Sequence, residues 1–384
     1  MVIRSRVEYD SLEQSGGKHR LAVSHVVPST MPAPLPQAVS DPLISVVVTA
    51  YNYGEFLADC LRSIQAQTYE KFECIVVDDC SSDNTPAVVA TLLREWQDSR
   101  FRYLRLSKNS GQLGAQVQGF RESKGEFVVF VDADDLLFPR FIERHLFVHH
   151  NIETAVAFTS SNQWTISRDG QVLSKSHTDL VSRVYATQGV DLQVKGSERK
   201  TAPVRGVLFP FWHDKNDPSA WVWGTQSTMM FRRPLLTMIL PTSPADVETF
   251  RICADFYIVR FGQLIGGSFV FREALGCYRR HGTNNFSKNG IIAARMQTGD
   301  MRSHPSVGAY RLLVLRVLAE RKEDFISVLG TTRYYDLAAY FKSLKSDALA
   351  FKPLHRRVVR DALVKVLGES AYVRLRLSLG RLIG

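Results

Sequence analysis

This sequence predicts an α/β fold built on a mostly parallel sheet flanked by helices, and three observations predict it. Short β-branched or aromatic runs alternate with segments of helical length and period. Three of those runs stop at clusters of polar and acidic residues. No stretch of eighteen apolar residues and no paired-cysteine framework points to a membrane or disulfide-built class.

In chain order, residues 1–40 are polar and end in VVPSTMPAPLPQAVSDP, whose prolines withhold backbone donors, so a flexible leader is expected. The runs LISVVVT, FECIVV, FRYLRL and FVVFV read as strands. Between and after them, Gly54 to Gln67, Asn84 to Trp96, Gln112 to Ser123 and Pro139 to His150 read as helices, with Asp83 and Asn84 suited to cap the second and Pro139 to open the last. Such alternation specifies right-handed crossovers and places ligands at the carboxyl ends of the strands. TAYNYG, DDCSSDNT and DADD would therefore meet on one edge.

Past residue 150 the alternation fades. TAVAFTSSNQWTI, a turn at RDGQ and QVLSKS read as a hairpin, followed by an irregular stretch over 175–220. WVWGTQSTMMFRRPLL and SFVFREALGCYRRHGTNNFS add two runs around a helix near 250–262, and a helical tail is expected over 304–384. The expected division is a leader (1–40), a catalytic domain (41–290, split near 150 into nucleotide-binding and acceptor-side halves) and a basic helical C-terminal region (291–384).

Composition narrows the class. Hydrophobic residues at 45% and charged residues at 22% are ordinary for a globular chain. The net charge of +10 is concentrated at the end, where residues 291–384 hold 17 Lys and Arg against 8 Asp and Glu. No aromatic-interleaved basic motif accompanies that charge, so nucleic acid is not expected as a partner. The segment DALVKVLGESAYVRLRLSLGRLIG has three open readings: peripheral contact with an anionic membrane, packing on the catalytic domain, or pairing with a second subunit. Five scattered cysteines without a Cys-x-x-Cys pair, and an N-terminus lacking an apolar signal core, lead to the expectation of a cytoplasmic protein, with the inner face of the membrane as a contact surface.

The chemistry starts at FVVFVDADDLLFP. Asp132, Asp134 and Asp135 repel one another where an apolar strand stops, and a divalent cation relieves that repulsion. Oxygen ligands suit Mg²⁺ or Mn²⁺, which bind through one or two carboxylates plus substrate phosphates. Asp135 also reads as a helix cap. Asp78 and Asp79 reach the end of the second strand, where a carboxylate can accept from a base N–H or a ribose hydroxyl. Neither a G-x-G-x-x-G nor a P-loop follows the first strand, so the dinucleotide and P-loop readings lose support.

The segments PLISVVVTAYNYGEFLADCLRSIQAQTYEKFECIVVDDCSSDNT, NSGQLGAQVQGF and GEFVVFVDADDLLFP together resemble the opening half of the family 2 glycosyltransferases, inverting enzymes with the Rossmann-like GT-A fold. ICADFYIVRFGQLIGGSFVFREALGCYRRHGTNNFS extends the resemblance to about residue 287. It implies that Thr49, Tyr51 and Asn52 line a nucleotide pocket, that Asp78 or Asp79 contacts the base, and that Asp132 faces the ribose or metal shell. It further implies Asp134 as metal ligand, His281 as a second ligand or a donor to the diphosphate, Asp255 as catalytic base, Arg279 and Arg280 as diphosphate partners, and Trp221 and Trp223 on the acceptor side, with core packing an equal reading for either ring. A nucleotide-sugar donor and a glycan or lipid-linked acceptor follow from the same resemblance. Ala115-Gln116-Val117 stands where the family usually carries Ala-Arg-Asn, so the base stays open with uridine as the default. Two other readings remain: an inactive nucleotide- or glycan-binding relative, and a phosphotransferase using VDADD as an aspartyl nucleophile.

Overall fold

The structure is a computed structural model that describes residues 41–176, 190–196, 202–209, 221–282, 291–292, 295–296 and 306–343. The leader, most of the 175–220 stretch and the DALVKVLG segment fall outside the described residues.

The first half alternates as the sequence predicts: β1 (Ile44–Ala50), α1 (Gly54–Gln65), β2 (Phe72–Asp78), α2 (Thr85–Trp96), β3 (Phe101–Arg105), α3 (Gly111–Glu122) and β4 (Phe127–Asp132). A two-residue strand β5 (Leu136–Leu137) precedes α4 (Phe141–Asn151), and the expected hairpin is β6 (Phe158–Ser167) with β7 (Val172–Ser174). Then come β8 (Val190–Val194), β9 (Val204–Phe209), β10 (Met229–Arg232), α5 (Arg233–Ile239), α6 (Pro244–Thr249), α7 (Ala254–Gly266) and β11 (Ser268–Arg280). A short pair, β12 (Ile291–Ile292) and β13 (Arg295–Met296), leads to α8 (Ser306–Glu320), α9 (Lys322–Leu329) and α10 (Thr331–Ser343).

The main sheet has the order β3-β2-β1-β4-β10-β6-β11-β9-β8. The part from β3 to β4 is wholly parallel. Beyond β4 the sheet is mixed, with β10 antiparallel to β4 and β6 while β11 runs parallel to β6. The chain steps outward from β1 to β3 and then returns to lay β4 on the other side of β1. Strand order reverses there, which opens a crevice at the carboxyl ends of β1 and β4. Thr49 and Asp132 are register partners at its edge.

The central strands β1, β2 and β4 are mostly apolar because both of their faces are covered. Val46 and Val48 join one core with α1, α2 and α4, whereas Val47, Val77 and Phe130 join the other with α3 and α7. Helices α8 to α10 continue that second core: the Tyr310 ring packs edge-on to Phe256 at 5.5 Å and Phe325 stacks on Phe261 at 5.8 Å. Part of the C-terminal basic charge is spent here. Arg321 donates to the carbonyls of Met238 (2.5 Å) and Leu240 (2.9 Å), covering the end of α5, and Arg316 pairs with Asp246. Among the described residues no helix is long and apolar enough to cross a membrane.

Caps depart from the sequence pattern in an instructive way. Asp83 accepts from the backbone N–H of Thr85 at 2.9 Å and of Gly54 at 3.0 Å, so one carboxylate ties the first turns of α2 and α1. Asn84 flanks α2 without a side-chain bond. The helix expected near 250–262 starts instead at Ala254, because Cys253 takes a left-handed conformation (φ 64°).

Candidate active site

The three polar clusters do meet at one cleft of about 560 Å³ on the carboxyl edge of the sheet. Thr49, Tyr51, Asp79, Asp132, Asp134 and Asp255 all line it. The strand ends place the first five, and the first turn of α7 places the sixth.

At one end stands Asp79. Its two carboxylate oxygens accept from the backbone N–H groups of Ser110 (2.6 Å) and Gly111 (2.7 Å), which open α3. Gly111 has φ 74°, and a Cβ there would meet Arg251, so only glycine fits against the chain that leads to α7. Burial pushes the Asp79 carboxyl up despite those donors. Asp78 turns the other way: it is fully buried, accepts from Tyr103 Oη at 2.6 Å and Ser81 N–H at 2.8 Å, and lies outside the lining. Successive side chains at a strand end point to opposite faces, which separates the two acids. Asn52 is also outside the lining. With φ 59° it bends back so that its Oδ1 accepts from Ser82 N–H at 2.8 Å.

At the end of β4 the acids divide. Asp132 Oδ1 accepts from Gln112 Nε2 at 3.1 Å and from Thr49 Oγ1 at 3.4 Å. Burial, with Asp134 adding to it, raises the Asp132 carboxyl to about 7. Asp134 Oδ2 lies 2.9 Å from His281 Nε2, and the imidazole is wedged against the rings of Phe56 (4.8 Å) and Tyr53 (5.4 Å). Asp135 is not a helix cap: it is buried and accepts from the Arg279 N–H at 3.1 Å, while α4 begins at Phe141 with no side-chain cap.

Two expected ligands are occupied by the fold. The Arg279 guanidinium is buried and donates to the carbonyls of Asp134 (3.0 Å) and Arg168 (2.9 Å) and to Asp59 (3.3 Å), outside the cleft lining. Trp223 is 2% exposed, and its indole N–H donates to Ser268 Oγ at 2.9 Å, making it a core residue. Trp221 is half-buried edge-on against it, and neither ring lines the cleft. Arg280 is half-buried and likewise outside the lining. Gln116, at the position of the family's arginine, is buried and donates to Gln226 Oε1 at 2.7 Å.

Asp255 sits in the first turn of α7, where the helix N-terminus favours a negative charge, and its Oδ1 accepts from Phe256 N–H at 2.8 Å. Desolvation outweighs those donors and raises its carboxyl above the ordinary range. Residues that the sequence reading passed over also line the cleft, among them Gln112, Thr225, Gln226, Arg251 and Tyr278. Thr225 and Gln226 follow directly after WVWG. A signal was present in the polar TQST between aromatic runs.

The donor set can be tested against a divalent metal. Among the described residues no three His, Cys, Asp or Glu side chains group closely enough to form a cage. Asp134 and His281 supply two donors, with Asp132 crowded beside them and its carboxylate disfavoured by burial and like charge. Few protein ligands plus an electrostatic deficit that a cation relieves is the pattern of an ion completed by substrate phosphate and water. The residues fit a divalent cation.

A doubly wound sheet with an acid-lined cleft at its switch point defines an α/β protein built to bind a ligand at the carboxyl edge of its sheet. Residues 45–196 match the model of glycosyl transferase family 2. It is 28% identical over 300 residues to an uncharacterized glycosyltransferase, alr2836, of Nostoc sp., covering 77% of this chain and 79% of that one. The succinoglycan biosynthesis protein ExoO of Rhizobium meliloti is 37% identical over 107 residues, which is 27% of this chain and 30% of that relative. Among solved structures, Staphylococcus aureus TarS 1-349 in complex with UDP-GlcNAc aligns over 84% of this chain and 80% of that one, at 17% identity and a TM-score of 0.46.

Proposed function

We propose that this glycosyltransferase moves a sugar from a nucleotide-sugar donor, with UDP-sugars as the first choice, to a glycan or lipid-linked glycan by a single inverting displacement. The observation that carries the proposal is that one cleft is lined both by Asp132 and Asp134 from the end of β4 and by Asp255 from the start of α7. The name of ExoO, a succinoglycan biosynthesis protein, supports a glycan acceptor.

In this mechanism Asp134 and His281 would hold Mg²⁺ or Mn²⁺, with Asp132 beside them. When bound, the ion offsets the charge that grows on the departing nucleoside diphosphate. Asp255 accepts the proton of the acceptor hydroxyl, and its burial makes it a better base than a surface carboxylate. The hydroxyl oxygen bonds to the anomeric carbon as the bond from that carbon to the diphosphate oxygen breaks, which inverts the centre. Tyr51, 47% exposed at the mouth, offers a ring face to a base. Asp79 shapes the same end through α3.

The test is Asp255→Asn. Hydrolysis or transfer on a panel of UDP-, GDP- and dTDP-hexoses with Mn²⁺ should fall by ~10²- to 10⁴-fold, the usual range for a positioned general base. Binding of UDP with Mn²⁺, measured by calorimetry, should be unchanged. Weakened nucleotide binding with unchanged turnover on bound donor would overturn the assignment.

A further inference from the structure

The cleft contains one side chain that joins its two halves. Gln112, the second residue of α3, donates from Nε2 to Asp132 Oδ1 at 3.1 Å and accepts at Oε1 from the backbone N–H of Ala254 at 3.1 Å. Its own backbone N–H donates to the Arg251 carbonyl at 2.7 Å. Ala254 opens α7, and Asp255 is the next residue.

The partners leave the amide one orientation. A backbone N–H only donates, so Oε1 must face Ala254, and that leaves Nε2 to face Asp132. The contact with Ala254 matters because a helix begins with N–H groups that have no partner within it. Cys253, the flanking residue, is in the left-handed region and provides no side-chain cap. Gln112 therefore caps α7 from another element.

We propose that Gln112 is a positioning residue for glycosyl transfer, holding the helix that carries Asp255 at a set distance from the donor-side carboxylate Asp132. This rests on the reading of Asp255 as the base. Carboxylate, amide and helix start form one aligned series of dipoles, each bond strengthening the next. Removing the amide frees the first turn of α7 from β4, and a small displacement of a reacting group is enough to cost about 10²-fold in rate.

The experiment is a double-mutant cycle with Gln112→Leu and Asp255→Asn, made in the full chain and assayed as Mn²⁺-dependent hydrolysis of the best donor in the hexose panel. Gln112→Leu alone should lower kcat by roughly 10- to 100-fold with donor KM within about threefold. UDP affinity by calorimetry should also stay within about threefold. In the Asp255→Asn background the same change should cost less than about threefold, because the group it positions is already gone. Should leucine prevent folding, Gln112→Met fills the same volume more adaptably and enters the same cycle. An equal proportional loss in both backgrounds, or a loss carried by KM or UDP affinity, overturns the positioning role while leaving Asp255 as base. Full turnover in Asp255→Asn alone overturns the base reading, and the positioning role falls with it.

Discussion

Replacing Asp79 with alanine separates an anchoring role for this acid from direct contact with a nucleobase. Its carboxylate accepts two short bonds, from Ser110 N–H at 2.6 Å and Gly111 N–H at 2.7 Å, while its own N–H donates to the Ala50 carbonyl at 2.8 Å. The side chain thus caps α3 and ties it to the β1–β2 edge. Bonds to a charged group contribute about 1.5–3 kcal/mol each, and a buried donor left without a partner costs about 1–3 kcal/mol. Two terms pull the sum down: burial already disfavours the ionised carboxylate, and water can reach the freed N–H groups at the cleft wall. The expected loss is therefore about 2–3 kcal/mol rather than the sum of two full bonds. Urea unfolding followed by far-ultraviolet circular dichroism measures it, with UDP affinity measured in parallel. Unchanged stability together with a tenfold or greater loss of UDP affinity would refute the anchoring argument and make Asp79 a direct ligand contact.

Further outcomes concern pH and the core. Asp132 is raised to about 7, and Asp135 is raised by burial and the neighbouring acids. The folded state then holds protons that the unfolded chain has released, so stability should fall as pH rises from about 4 through 7. His145 and His149 are buried and held neutral, with their acidity displaced downward, so their contribution is lost as pH falls below about 6.5. Metal-free protein should lose thermal stability from pH 6 to 8, and Asp132→Asn should flatten that limb; an unchanged slope would exclude Asp132 as its source. Trp223→Ala should cost about 3–5 kcal/mol by emptying a core site, measured by denaturant unfolding. Intact stability with lost transfer would restore the acceptor-side role instead.

How much was legible depends on the range of the interaction involved. The runs LISVVVT and FVVFV announce strands buried on both faces, and their alternation with helical segments implies the crossovers that place every strand end on one edge. From there, Asp132, Asp134 and the pair Asp78 and Asp79 could be singled out, while Asp255 followed only from the family resemblance; Asp79, Asp132, Asp134 and Asp255 line the cleft. Arg279 and Trp223 could not be resolved in the same way. A guanidinium and an indole in short polar motifs look available until partners such as Asp59, Asp134 and Ser268 are brought to them from far along the chain.

What the sequence determined alone is the set of properties that neighbouring residues decide: periodicity, strand ends, the edge where polar clusters gather, and the family those motifs resemble. What only the tertiary structure decided is the direction of each polar side chain at that edge. Asp78 turns toward Tyr103 and Asp79 toward the start of α3, while Gln112 reaches both β4 and α7. Those directions follow from hydrogen bonds between residues tens to more than a hundred positions apart, which no local pattern encodes.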